Sequence, residues 1–122
     1  MVSFKNLKGI EGIDTLNECA PLIDEIFGDA EIFNDNTEMT FGELATPVYK
    51  KHTDAVNKLF ELLGEKPDNA AAILSSVTRL LVEISSDKDV MSFFLGTVRS
   101  LRQWISATAN TKDAQSEGLS NT

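Results

Sequence analysis

The sequence is poor in the features that mark secreted, membrane-spanning or disulfide-bonded proteins. Among its 122 residues, Cys19 is the single cysteine, so an intramolecular disulfide is excluded. No apolar run approaches the roughly 18 to 20 residues needed to cross a bilayer, and residues 1–8 lack the long apolar core of a signal peptide. These absences predict a cytoplasmic protein that does not enter a membrane.

Basic residues are also scarce. The chain has 11 Lys plus Arg against 19 Asp plus Glu, which gives a formal net charge of -8, so the molecule as a whole repels phosphate backbones. We therefore expect no nucleic-acid partner. Acidity is also an ordinary means of staying soluble, and the charge by itself does not identify a partner.

Residues arranged for catalysis or metal binding are few. His52, the only histidine, falls on the apolar side of a helical pattern and has no second histidine for a metal pair or a proton relay. Cys19 has acidic neighbours and no local basic partner that would make its thiol reactive. The spacing of an EF-hand counted from Asp29 puts Phe33 at a ligand position and Thr40 at the final glutamate position, so that motif fails. We expect no enzyme, no cofactor and no metal site.

What the sequence does have is helical periodicity. Apolar residues make up 42% of the chain and charged residues 25%, a balance typical of one folded domain. Between Ile10 and Phe27 the apolar residues recur at three- and four-residue steps, and the stripe consists of Ile13, Leu16, Ala20, Ile23, Ile26 and Phe27. Pro21 interrupts this stripe. The segment is either one kinked helix, which we favour, or a short turn followed by a helix beginning near Pro21, and Gly28 fits a C-terminal cap.

Residues 28–45 combine turn-forming and acidic residues with isolated apolar ones. We predict a long connection here, with a short helical turn or an extended piece. Connections of this length are often functional, so the segment is a candidate contact or mobile region. The alternative is a loop that its aromatic residues, Phe33 and Phe41, hold on the core.

Three further helices are predicted after this connection. Their start and stop signals are Thr46-Pro47 to Gly64, Pro67-Asp68 to Ile84, and a capping-box-like Ser86 to Ile105. The fold class is therefore all-α, a small bundle of about four main helices in a domain of residues 1–109. Residues 110–122 are predicted to be a flexible polar tail, because they have too little hydrophobicity to offset the entropy of ordering.

The last predicted helix carries more apolar side chains than one face holds, since Phe93 and Phe94 point about 100° apart around the axis. Either this helix is fully buried, or part of it binds a partner helix or a second copy of the chain, because aromatic residues are enriched at interfaces. With the aromatic residues of the connection included, the candidate protein-binding surface consists of Phe93, Phe94, Val98, Leu101, Trp104, Ile105, Phe33 and Phe41.

The order of four segments resembles a known family. The segments are Leu7-Lys-Gly-Ile-Glu-Gly-Ile-Asp, the end of the first helix with Ile-Asp-Glu-Ile-Phe before an acidic turn, the lysine-bearing stretch 49–64, and the stretch 84–94 followed by a polar tail. Over roughly residues 7–96, this pattern is similar to the tail assembly chaperones of long-tailed (siphovirus-type) phages and prophages of Gram-positive bacteria.

The resemblance implies a small helical protein of the host cytoplasm without a catalytic motif. Such a chaperone holds the long tape-measure protein soluble until the major tail protein polymerises around it, and we expect a homo-oligomer. The residues that do this work in the family are apolar ones at the surface. From the residues alone, the alternative is an acidic regulatory adaptor or inhibitor that binds another protein through its charged surface.

Overall fold

The fold is helical. In a computed structural model the described residues are 1–33 and 39–106, and they contain no strand. A 3-10 turn at Phe4–Asn6 precedes the helices, which are α1 (Gly9–Phe27), α2 (Ala30–Phe33), α3 (Phe41–Lys51), α4 (Thr53–Leu62), α5 (Ala70–Ser86), α6 (Lys88–Thr97) and α7 (residues 99–106). The prediction of an all-α protein is confirmed, although the predicted second and fourth helices are each divided in two. The predicted tail, 110–122, lies outside the described residues.

The first helix continues through Pro21. Because α1 begins at Gly9 and contains Pro21, the alternative of a turn followed by a helix at Pro21 is wrong. Pro21 lies on the exposed side of α1, where water can bind the carbonyl group one turn back that proline leaves without a donor. Gly28 caps the helix as predicted, and its N–H donates to the Asp24 carbonyl oxygen at 2.8 Å.

The helix predicted to begin at Thr46-Pro47 begins earlier. Thr40 is the N-cap of α3: its hydroxyl oxygen accepts a hydrogen bond from the Glu43 N–H, and the Glu43 carboxylate accepts one from the Thr40 N–H. This capping box satisfies two N–H groups that the first turn leaves free, and Leu44 is buried directly behind it. Pro47 therefore lies inside α3, and the prediction that it marks a helix start was wrong.

Two breaks divide helices that the sequence pattern shows as continuous. At His52 the backbone leaves helical geometry, with φ -127° and ψ 41°, and α3 gives way to α4. At Val98 an extended residue, with φ -119° and ψ 105°, separates α6 from α7. The Asp24 carboxylate on α1 accepts hydrogen bonds from the N–H and the hydroxyl of Ser100, in the first turn of α7. Neither break has a proline or a glycine at its position, so the usual signal for a break is missing.

The starts of α5 and α6 lie one residue beyond the predicted signals. Asn69, next to Asp68, is the N-cap of α5. Asp87, and not Ser86, is the N-cap of α6. The backbone N–H of Val90 donates to the Asp87 carboxylate at 3.1 Å and is the main reason that the pKa of Asp87 lies below its usual value.

One continuous core joins the helices. α3 packs on α5, α1 on α4 and α5 on α6, and the buried side chains form a single cluster to which every helix contributes. Within residues 1–33 and 39–106, no charged or polar side chain is buried. Apolar burial, worth about 25 cal/mol for each Å² removed from water, therefore stabilises the core, and polar contacts lie at its edges.

Gly12 should resist replacement although it lies inside a helix. A Cβ at this position would stand 2.7 Å from the backbone carbonyl carbon of Leu7, whereas Gly96 in α6 has open space around it. We expect Gly12→Ala to lower the free energy of unfolding by about 1–2 kcal/mol, because overpacking outweighs the helix preference of alanine. Gly96→Ala should raise it by up to about 0.5 kcal/mol. Urea denaturation of both variants checks the opposite signs, and a gain in both would contradict the close approach to Leu7.

Candidate protein-binding surface

Most of the residues predicted to form a binding surface lie in the core. The fully buried ones are Phe33, Phe94, Val98 and Leu101, and Trp104 is 8% exposed. The other three, Phe41, Phe93 and Ile105, are partly buried against the core. The structure therefore corresponds to the alternative of a buried last helix, and these eight residues do not form one exposed face in it.

Aromatic packing around Trp104 explains this burial. The centroid of its ring system lies 5.3 Å from that of Phe27, 5.4 Å from that of Phe33 and 6.0 Å from that of Phe41. Contacts of this kind add about 0.5–1.5 kcal/mol each beyond the burial of area. The aromatic residues of the predicted 28–45 connection, Phe33 and Phe41, are thus held on the core, which agrees with the second of the two interpretations of this segment. Residues 34–38 of the connection lie outside the described residues.

Four large apolar residues of the described part of the chain are exposed. Three of them, Met1, Ile10 and Ile13, lie near its beginning, and the fourth, Val82 in α5, is 41% exposed. Ile10 is 78% exposed and Ile13 is 59% exposed. Ile13 belongs to the apolar stripe predicted for α1, yet it is exposed, so this stripe does not mark core-facing positions in the first turns of the helix. Apart from Gly12, which Leu7 covers, the buried residues of α1 begin at Cys19. The first turns of α1 therefore lie away from the core. The helical periodicity of α1 does not by itself show this difference between its first and later turns.

Acidic side chains flank this isoleucine pair. α1 contains five acidic residues and no basic one. Since successive residues are about 100° apart around a helix, Ile10 and Ile13 are separated by about 60°. Three exposed carboxylates lie on the side of Ile10 that faces away from Ile13. Measured around the helix axis from Ile10, they are at about 40° (Asp14), about 80° (Glu18) and about 100° (Glu11). We call these five residues the α1 face: two apolar side chains beside an acidic edge.

A polar cluster joins the break between α3 and α4 to the end of α1. The His52 ring places Nε2 2.8 Å from Asp29 Oδ2 and Nδ1 3.4 Å from Glu25 Oε2. Lys51 Nζ lies 3.2 Å from Asp29 Oδ2 and also pairs with Glu31. The side chains of His52 and Asp29 are 13% and 11% exposed. We call these five residues the Asp29 cluster, in which His52 lies at the boundary between core and solvent.

Ion pairing controls titration in the Asp29 cluster. Burial by itself would raise the pKa of the Asp29 carboxyl group, but hydrogen bonds from His52, Lys51 and the Ile32 N–H outweigh it, so this pKa lies below its usual value. Hydrogen bonds to Glu31 and Asp29 raise the pKa of Lys51. Because the pKa of Asp29 is lowered and that of Lys51 is raised, this ion pair between the turn after α1 and the end of α3 stays charged near neutral pH.

Cys19 and the open groove beside α4 offer little specific chemistry. Burial, followed by the charge of Glu18, raises the pKa of the Cys19 thiol to about 12, which disfavours the reactive thiolate. A groove of about 470 Å³ is lined by Tyr49, Asp54, Asn57, Lys58, Phe60, Glu61, Lys66, Pro67 and Ile73. Because the groove contains both acidic and basic side chains, it does not favour a ligand of either charge. Within the described ranges, no group of three or more side chains is arranged to hold a metal ion.

Comparison with known proteins gives no relative: no family model, no curated protein and no solved structure matches this chain. Among residues 1–33 and 39–106, every helix is too short or too polar to span a bilayer. The surface of the described residues therefore provides the remaining evidence about function. The α1 face is where the structure leaves two neighbouring isoleucines in contact with solvent.

Proposed function

We propose that this chain is a non-enzymatic protein-binding protein, a tail assembly chaperone that holds the tape-measure protein of a long-tailed phage or prophage soluble during tail assembly. The observation that carries the proposal is the exposure of Ile10 and Ile13 on the α1 face. A contiguous exposed apolar patch with polar residues at its rim is typical of sites where other proteins bind. The family resemblance over residues 7–96 supplies the identity of the partner.

The charge of the chain suits a holding chaperone. A net charge of -8 keeps copies of the molecule from aggregating through their apolar residues. Ile10 and Ile13 can then remain exposed until a partner covers them. We further propose that the chaperone acts in the host cytoplasm as a homo-oligomer and gives up the tape-measure protein when the major tail protein assembles around it.

Holding activity can be measured by sedimentation. Overlapping helical segments of a phage tape-measure protein are diluted out of denaturant, with and without an equimolar amount of the chain. We expect at least one segment to stay in the supernatant with the chain and to pellet without it, because its apolar stripe is covered. Albumin at equal mass is the control. A chain that leaves every segment in the pellet would overturn the proposal.

The acidic adaptor or inhibitor is a second candidate, which the carboxylates of Glu11, Asp14 and Glu18 on the α1 face favour. A partner bound through charge alone is lost as salt rises, whereas a partner bound through apolar burial is lost much less. The sedimentation assay at about 50 mM and about 500 mM NaCl separates the two. Holding that persists at the higher salt supports the chaperone, and holding that disappears supports the adaptor.

A further inference from the structure

We propose that the α1 face binds a basic amphipathic helix of the partner protein. The apolar residues of that helix cover Ile10 and Ile13, and its lysines or arginines meet the carboxylates of Glu11, Asp14 and Glu18. This inference rests on the proposed function and deepens it, because it names both the surface and the chemistry of the segment that is held.

The spacing of the isoleucines fits a helical partner. Ile10 and Ile13 are three residues apart, so they are neighbours on the surface of α1. Side chains on a second helix also recur at three- and four-residue steps, and helices pack by placing such rows against each other. A helix laid along the first turns of α1 therefore covers both isoleucines with residues that are one turn apart.

The negative charge of the acidic edge determines which charge the partner should carry. Glu11, Asp14 and Glu18 form no ion pair with any of the described residues. Two basic residues come before α1. Lys5 is 3.3 Å from Asp87 and is therefore already paired, and Lys8, the N-cap residue of α1, forms no ion pair with the acidic edge. A partner with acidic residues along its apolar stripe would meet like charges, whereas a basic partner would be attracted and correctly oriented.

A second copy of this chain is a poorer occupant of the α1 face. In an antiparallel two-fold dimer through this face, the acidic edge of one copy approaches the acidic edge of the other and repels it. Two isoleucines also provide much less than the roughly 800 Å² that each partner buries in a stable interface. A single helix on the α1 face therefore binds weakly and reversibly, which suits a partner that must later be released.

Two synthetic peptides test the inference on the full chain. Both are amphipathic helices of about 18 residues, five turns, with the same leucine stripe; one has lysines along one side of the stripe and the other has glutamates. By fluorescence anisotropy, we expect the lysine peptide to bind at least about tenfold more tightly at low salt. Ile10→Asp/Ile13→Asp should weaken it by at least about tenfold, with an unchanged Tm because both side chains are exposed.

Neutralising the acidic edge should remove the preference and leave the apolar contact. The variant Glu11→Gln/Asp14→Asn/Glu18→Gln should bind the two peptides within about threefold of each other, with a flatter dependence on salt. Because these residues are exposed and outside the core, the substitutions leave the fold intact even if the isoleucine variant unfolds.

The matched control removes three carboxylates outside α1: Asp54→Asn, Glu61→Gln and Asp68→Asn. It has the same net charge as the acidic-edge variant, so it separates the local field of the α1 face from the charge of the whole chain. We expect the control to keep the full preference for the lysine peptide. Equal loss of preference in the two charge variants would overturn the assignment of the acidic edge.

Several outcomes distinguish this inference from the proposed function. Equal binding of the two peptides by the unaltered chain overturns the inference. If the isoleucine and acidic-edge variants still keep a tape-measure segment soluble, the surface assignment fails and the function stands. If the unaltered chain binds the lysine peptide but holds no segment, the function fails and the surface assignment stands. A dimer that disappears in the isoleucine variant, without peptide binding, assigns the face to a second copy and overturns the inference.

Discussion

Replacing Phe94 with alanine should lower the free energy of unfolding by about 3–5 kcal/mol. Because a domain of this kind is typically stable by about 5–15 kcal/mol, we expect the variant to unfold at much lower urea concentrations than the original chain. Phe94 is fully buried, and its ring centroid lies 5.1 Å from that of Phe4 and 5.0 Å from that of Phe93. The substitution leaves a cavity between the beginning of the chain and α6, which close-packed neighbours fill only in part.

Phe93→Ala is the matched control, since it removes the same side chain one position away on the same helix. Phe93 is only partly buried, so its replacement should destabilise the protein by at most about half as much. The sequence-based hypothesis that Phe93 and Phe94 share a binding surface predicts small losses of stability in both variants. Urea denaturation of the two variants decides between these expectations, and equal small losses would contradict the burial of Phe94.

Much of the helical pattern could be predicted from the sequence, because it depends on short-range signals. Gly28 ends α1 as expected, since a cap acts within one turn of its helix. The breaks at His52 and Val98 could not be predicted in this way. They lie where residues distant along the chain make hydrogen bonds: Asp29 with the ring of His52, and Asp24 with the first turn of α7. Local periodicity contains no information about such partners.

The candidate surface was harder to predict than the helices. An excess of apolar residues on the last helix shows that more than one face must be covered, but it does not show what covers them. Trp104 is covered by Phe27 and Phe33, which are more than half the chain away. Ile13 continues the stripe of α1, yet it is exposed because the helices packed on α1 cover only its later turns. Exposure of a helix end thus depends on where its neighbours stop.

Asp29→Asn should lower the free energy of unfolding by about 1.5–3 kcal/mol at neutral pH, the usual contribution of hydrogen bonds to a charged group. Asparagine has nearly the same shape as aspartate and can still accept a hydrogen bond from the Ile32 N–H. The substitution therefore removes mainly the negative charge of Asp29, which both His52 and Lys51 contact. The pKa of Asp29 is lowered in the folded protein. Its contribution is therefore fully present above the pKa of an unfolded aspartate, about 3.9, and is lost as the pH falls through the lowered pKa.

Urea denaturation of the original chain and of Asp29→Asn between about pH 7 and about pH 3 measures this loss, since the asparagine does not titrate. The difference between the two proteins should shrink as the carboxylate becomes protonated. Asp14→Asn, on the exposed α1 face and outside the Asp29 cluster, is the control and should change stability by less than about 0.5 kcal/mol. A difference for Asp29→Asn that stays constant down to acid pH would assign the loss to the geometry of the amide, because a charge effect must disappear with the charge.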